Sequence, residues 1–271
     1  RLEKNIELSS IFEHPTPRAL ARQLHSGQEE ALTRIPTAEA ANFYPVTVSQ
    51  QQLFLLSRMQ GIGITYNMPI YLEFTGELDR SRLSDALLSL LQRHESLRTA
   101  FELRNGKCVQ RVVDNAFLKL DFEHTDSEDP SQFARGFVRP FDLDNPPLMR
   151  TKLVAGPSGK HWLLLDFHHI VSDGVSLGIF LQDLMDLYAG QDPDSPPIQQ
   201  KDFAAWEAEH LEENRSRHEQ FWLDMFSSPP ESELPTDKPR SAHTSFQGAV
   251  YHEPLDKRFS DSLRGLAKKH G

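Results

Sequence analysis

The stretch Trp162-Leu163-Leu164-Leu165-Asp166-Phe167-His168-His169-Ile170-Val171-Ser172-Asp173-Gly174 is a largely apolar run that ends on two histidines, just ahead of an amphipathic helix pattern. A strand that stops at an imidazole displays it at the rim of a rigid sheet, where a substrate reaches it and neighbours fix its tautomer. Adjacent histidines on a strand point to opposite faces, so only one of the pair faces a given channel. His169, at the strand end, is the catalytic candidate, and its geometry suits a proton shuttle. His168 is expected to pack inward and hydrogen-bond to backbone. A metal site needs the two rings to converge, and only His169 with Asp173 approaches a ligating spacing, so no metal is assigned.

Asp173 admits two readings. It is either a catalytic carboxylate or, as preferred here, an acid that holds the loop by pairing with an arginine. Gly174 either allows close backbone approach to a bulky substrate, with its amide aimed into the site, or is a turn glycine. The charged run Arg93-His94-Glu95-Ser96-Leu97-Arg98 sits at a helix-to-strand junction, where such clusters are usually solvated. The alternative is an arginine turned inward to meet Asp173, for which Arg98 is better placed than Arg93. Arg93 and Ser172 are carried as additional site positions.

Outward from this stretch, Leu177, Phe180, Leu181, Leu184, Leu187 and Tyr188 give the following helix a buried stripe closed by Gly190. Upstream, Leu148 to Val154 and Trp162 to Phe167 read as a hairpin around Gly156-Pro-Ser-Gly159, and Phe101 to Arg104 and Cys108 to Val113 as another through Asn105-Gly106. Helices are expected from Ser49 to Met59, Ser81 to Glu95, Ser131 to Val138, Asp202 to Phe226 and Asp261 to His270, and further strands over Tyr71 to Phe74 and Phe117 to Phe122. This is a mixed α/β lobe.

The first 27 residues read as a short apolar turn, a Pro15-Thr16-Pro17 start signal and a short helix, too little to fold alone. Residues 28–42 read as a linker, 43–212 as the main lobe, and 213–271 as a crossover leading into an incomplete second lobe, with an extended Pro-rich run over Pro229 to Gly248. A net charge of −10, from 29 basic and 39 acidic residues with no long run of one sign, argues against nucleic acid. No apolar stretch approaches the ~20 residues of a membrane span, and no secretory signal begins the chain, so a cytoplasmic protein is expected. The lone Cys108 excludes an internal disulfide and reads as a small buried apolar residue rather than a nucleophile.

Seven segments in order resemble a condensation domain of a nonribosomal peptide synthetase: Ser49-Gln-Gln-Gln-Leu-Phe-Leu-Leu56, Tyr66-Asn-Met-Pro69, Arg93-His-Glu-Ser-Leu-Arg-Thr-Ala-Phe101, Phe141-Asp-Leu143, Phe167-His-His-Ile-Val-Ser-Asp-Gly-Val-Ser176, Lys201-Asp-Phe-Ala-Ala-Trp206 and Leu234-Pro-Thr-Asp-Lys-Pro-Arg240. Phe12-Glu-His-Pro-Thr16 resembles the last part of a peptidyl carrier protein, whose Gly-Gly-x-Ser attachment motif is absent here, so this chain holds no cofactor covalently.

The resemblance implies a chloramphenicol-acetyltransferase-like α/β fold, a mixed sheet flanked by helices, with the second lobe truncated. It also implies 4′-phosphopantetheine arms delivered by upstream and downstream carrier domains with thioester-bound substrates, and an adenylation domain of the same module as a further partner. The acceptor amine attacks the donor thioester carbonyl beside His169, which acts as base, orients the amine or stabilises the intermediate, while His168, Asp173, Gly174 and Arg98 are structural. With half a tunnel, these 271 residues are expected to form no peptide bond alone. An epimerisation domain shares the pattern, although Tyr66-Asn-Met-Pro and Leu-Pro-Thr-Asp look more like condensation. A heterocyclisation domain would carry aspartates in place of the histidines, and free-standing coenzyme A acyltransferases would lack Phe12-Glu-His-Pro-Thr16. A non-catalytic carrier-docking module is the rival of a different class.

Overall fold

The computed structural model describes residues 35–59, 61–129, 131–134, 136–228, 251 and 253–270, with Thr16 and Arg18. Nearly all of the expected carrier remnant, and the Pro229 to Gly248 run, lie outside the described residues. The chain divides into two compact units, Arg1–Pro229 and Pro230–Gly271.

The first unit contains strands β1 (Tyr44–Pro45), β2 (Asn67–Thr75), β3 (Thr99–Arg104), β4 (Lys107–Val112), β5 (Leu120–His124), β6 (Met149–Ala155) and β7 (Lys160–His168). Its helices are α1 (Val48–Ser57), α2 (Arg80–Arg93), α3 (Ser131–Ala134), α4 (Gly174–Tyr188) and α5 (Gln200–Met225). The strands fall into two sheets, ordered β1-β4-β3 and β2-β7-β6-β5. The larger sheet is mixed, because β5 runs parallel to β6 while the other neighbours are antiparallel.

β7 is the inner strand that explains the apolar run. Leu163, Leu165 and Phe167 face α2 and α4, where they pack with Leu83, Leu87, Leu90, Leu91, Phe180 and Leu184. Trp162 and Leu164 face the other way, against Phe133, Phe137 and Val154. A strand covered on both sides loses polar alternation, and each fully buried large side chain contributes ~1.5–3 kcal/mol. The α2 stripe is the one its periodicity predicts, from Leu83 to Leu91, and Asp79 caps it by accepting the Arg82 N–H at 3.0 Å.

Both expected hairpins form. Asn105 and Gly106 have φ of 51° and 76°, as a turn with two left-handed central residues requires. Several boundaries move for local reasons. α1 begins at Val48 because Thr47 closes a reciprocal capping box with Gln50, a start hidden in the β-branched Val-Thr-Val run. β2 extends back to Asn67 despite Pro69, which an edge strand tolerates. β5 starts at Leu120 rather than Phe117, in parallel register with Thr151 of β6. α3 stops at Ala134 instead of Val138, and Gly136 follows at φ 77°.

The sequence puts the lobe boundary at residue 212. It falls inside the continuous helix α5, and the compact unit runs on to Pro229. The start of α5 is anchored by buried Asp202, which accepts from the Ala38 N–H at 2.9 Å and the Gln199 N–H at 2.7 Å. In the second unit, α6 (Lys257–His270) starts earlier than expected because Asp256 accepts the Phe259 N–H at 2.8 Å. Among the described residues no helix is long and apolar enough to cross a membrane.

Candidate active site

β7 ends where its backbone is gripped from both sides. The His168 N–H donates to the Leu148 carbonyl at 3.0 Å, and the His169 N–H donates to the Tyr66 carbonyl at 2.9 Å. The chain then turns, with Val171 N–H on the His168 carbonyl, and Ile170 and Val171 bury into a cluster with Phe54 of α1, Phe101, Leu143 and Leu148. Gln50 of α1, itself buried, donates to the Ile170 carbonyl at 3.4 Å. α1 is therefore a packing helix that also holds the histidine turn.

The two imidazoles have opposite environments. His168 is 5% exposed, and its Nδ1 accepts the Ile170 N–H at 3.1 Å. Its ring stands edge-on to Phe141 at 6.1 Å, and burial, aided by the neighbouring His169, pushes its pKa down to about 4. It is neutral at pH 7. His169 is exposed, and its Nδ1 lies 2.8 Å from the Ser172 carbonyl oxygen. A carbonyl only accepts, so Nδ1 carries the proton and, in the neutral ring, Nε2 presents a lone pair. Buried Ser172 thus enters through its main-chain carbonyl.

Asp173 is the N-cap of α4. Its Oδ1 accepts the Ser176 N–H at 2.8 Å, and Ser176 Oγ accepts the Asp173 N–H at 2.7 Å. The hydrogen bonds from Ser176 hold its carboxyl below the usual range. Gly174, the first residue of α4, has no left-handed φ, and a Cβ there would meet nothing within 4 Å. Neither a turn nor internal packing demands glycine at that position.

The expected pairing of Arg98 with Asp173 does not occur. Arg98, 9% exposed, donates to the Val113 carbonyl at 3.2 Å and to Asp114 at 3.3 Å, with Glu95 at 3.9 Å. The short 3₁₀ turn Glu95–Arg98 aims its guanidinium toward the end of β4, while the cap already satisfies Asp173 locally. Arg93 is also drawn elsewhere: its Nε donates to Asp183 of α4 at 2.8 Å, and His94 Nε2 meets the same oxygen at 2.8 Å. Arg93 and His94 tie α2 to α4 and stand apart from the histidine turn. Cys108 is half-buried against the Phe54 and Phe101 cluster, and burial pushes its thiol up to about 11, so it is not a nucleophile at neutral pH.

Sequence reasoning missed a polar group two residues upstream of His168. Asp166, fully buried, accepts from Arg150 Nη1 at 2.8 Å and from Asn67 Nδ2 at 2.8 Å. A lone carboxylate inside an otherwise apolar buried strand was the available signal. Among the described residues no group of three His, Cys, Asp or Glu side chains gathers as a metal site.

The chain resembles known proteins over most of its length. A family model described as Condensation domain covers residues 40–271. The chain is 40% identical over 269 residues to tyrocidine synthase 3 of Brevibacillus parabrevis, covering 98% of this chain and 4% of that one. It is 40% identical over 253 residues to surfactin synthase subunit 2 of Bacillus subtilis (strain 168), covering 91% and 7%. It thus spans a small fraction of the curated relatives it matches. Among solved structures, the X-domain from teicoplanin biosynthesis superposes with a TM-score of 0.68 at 29% identity, over 77% of this chain and 49% of that one. The first condensation domain of the CDA synthetase superposes with a TM-score of 0.59 at 25% identity, over 71% and 52%. With a family model spanning most of its length and the paired histidines set at a sheet rim, the chain belongs to the condensation domain family.

Proposed function

We propose that this chain contributes the histidine-bearing lobe of a nonribosomal peptide synthetase condensation domain, which joins a donor acyl or peptidyl thioester to an acceptor aminoacyl thioester. The observation that carries this reading is the tautomer of His169: Nδ1–H is engaged by the Ser172 carbonyl, and Nε2 is left as an acceptor on an exposed ring. An acceptor nitrogen orients an N–H of the attacking amine and takes a proton as the C–N bond forms. It then returns that proton to the departing thiolate as the C–S bond breaks. The free Nε2 acceptor supports the base and orientation roles. The open space at Gly174 supports close approach of the thioester to the start of α4. Phosphopantetheine arms on partner carrier domains would bring both substrates, and the adenylation domain of the same module would load one of them.

The test is dipeptidyl-thioester formation from two loaded carriers by the full-length synthetase carrying this chain. His169→Ala is expected to lower kcat by about 10²–10⁴-fold. An unchanged rate would exclude the proton-transfer role.

A second reading is supported by one neighbour, the X-domain, which is 28% identical with a TM-score of 0.67 and was solved in complex with OxyB. By that analogy the lobe would serve as a docking module without chemistry. Absence of peptide bond formation by the parent synthetase, with a partner retained on the lobe, would select it.

A further inference from the structure

The buried cluster beside the histidines has no part in the chemistry above, yet it touches both shoulders of the strand end. Asp166 sits on β7 opposite Pro69 of β2 and Arg150 of β6. Two donors converge on its Oδ2, Arg150 Nη1 and Asn67 Nδ2, each at 2.8 Å. Arg150 also donates to the carbonyls of Arg139 at 2.6 Å and Pro140 at 2.7 Å, and Asn67 donates to the same Arg139 carbonyl at 2.9 Å. Three side chains therefore tie together the start of β2, the start of β6, the end of β7 and the 139–141 segment.

Two short paths lead from this knot to the imidazoles. Asn67 is paired with His168 across the sheet, and its covalent neighbour Tyr66 supplies the carbonyl that receives the His169 N–H at 2.9 Å. Arg150 lies over the face of Phe141 at 3.6 Å, and the Phe141 ring stands edge-on to His168 at 6.1 Å. A buried ion pair of this kind is a poor source of stability, because desolvation offsets its attraction. Its hydrogen bonds are directional, however, and hold geometry tightly.

We propose that Asn67, Arg150 and Asp166 are positioning residues, which fix Tyr66 and the 139–141 segment against the end of β7 and so hold the His169 ring where Nδ1 meets the Ser172 carbonyl. They act through backbone and Phe141, not on substrate. The catalytic meaning of that orientation rests on the proposed function, but the orientation itself is measurable without turnover.

The experiment reads the ¹⁵N shifts of His169 in histidine-labelled protein, with the signal assigned by its loss in His169→Gln. The variants are Asn67→Ala, at a partly exposed position, and the double change Asp166→Leu with Arg150→Met, which removes both charges together. Folded variants are expected to lose the Nδ1-protonated signature of His169. In the full-length synthetase their kcat should fall at least tenfold, with KM for the loaded carriers within twofold. An unaltered His169 tautomer in both folded variants overturns the proposal. So does unfolding of both, because the cluster would then hold the fold rather than the ring. If the parent synthetase forms no peptide bond, the functional reading fails, while the tautomer measurement still decides this one.

Discussion

At the scale of single residues, the adjacent histidines show how one residue step separates a structural group from a reactive one. His168 is sealed and accepts a backbone N–H, so protonation inside the fold is opposed, and its pKa drops from the ordinary 6.5 to about 4. A base whose folded pKa is depressed leaves its stability contribution whole above the unfolded value and loses it as pH falls toward the folded one. The fold should therefore weaken between pH 6.5 and about 4, by roughly 3 kcal/mol in total from this site. Urea unfolding midpoints measured across that range check it, and His168→Gln, which keeps an acceptor for Ile170, should flatten the dependence. Alternation along a strand made the division of labour between the two rings legible in the sequence. The partners of Arg98 and Arg93 were not, since a long side chain reaches whichever acceptor the fold brings near.

At the scale of elements, α4 places the histidine turn, and its start depends on Asp173. The sequence suggested that this acid holds the loop through an ion pair with Arg98; in the structure it caps α4 locally, and Arg98 pairs with Asp114 instead. A reciprocal cap needs only residues three apart, so it forms without help from the rest of the fold. Asp173→Ala should cost about 1 kcal/mol, lowering the melting temperature by about 2–4 °C. The same change should loosen the loop that carries the Ser172 carbonyl and reduce turnover, with Asp173→Asn recovering most of both. Lost activity at an unchanged melting temperature would instead assign Asp173 a direct chemical part. Periodicity made α2 and both hairpins readable, whereas Pro69 masked the first half of β2, because tolerance of proline depends on whether a strand lies at a sheet edge.

At the scale of the whole molecule, the strand that leads to the histidines is held where the sheet meets the helices packed on it, at Phe167. That side chain is 1% exposed, packs edge-to-face on Phe180 at 5.1 Å, and joins the sheet to α4. Phe167→Ala should destabilise the first unit by about 3–5 kcal/mol, read from chemical unfolding, with loss of α4 docking and of the His169 geometry. The chain by itself determined the α/β class, the two hairpins, the buried stripe of α2 and which histidine is displayed, because these follow from side-chain period and from turn chemistry within a few residues. Only the tertiary structure decided the division into two sheets, the partners of Arg93 and Arg98, the tautomer of His169 and the cluster around Asp166. Those depend on contacts between residues far apart in sequence, such as Asn67 with Asp166 and Tyr66 with His169, and strand register, not local pattern, sets which such groups meet.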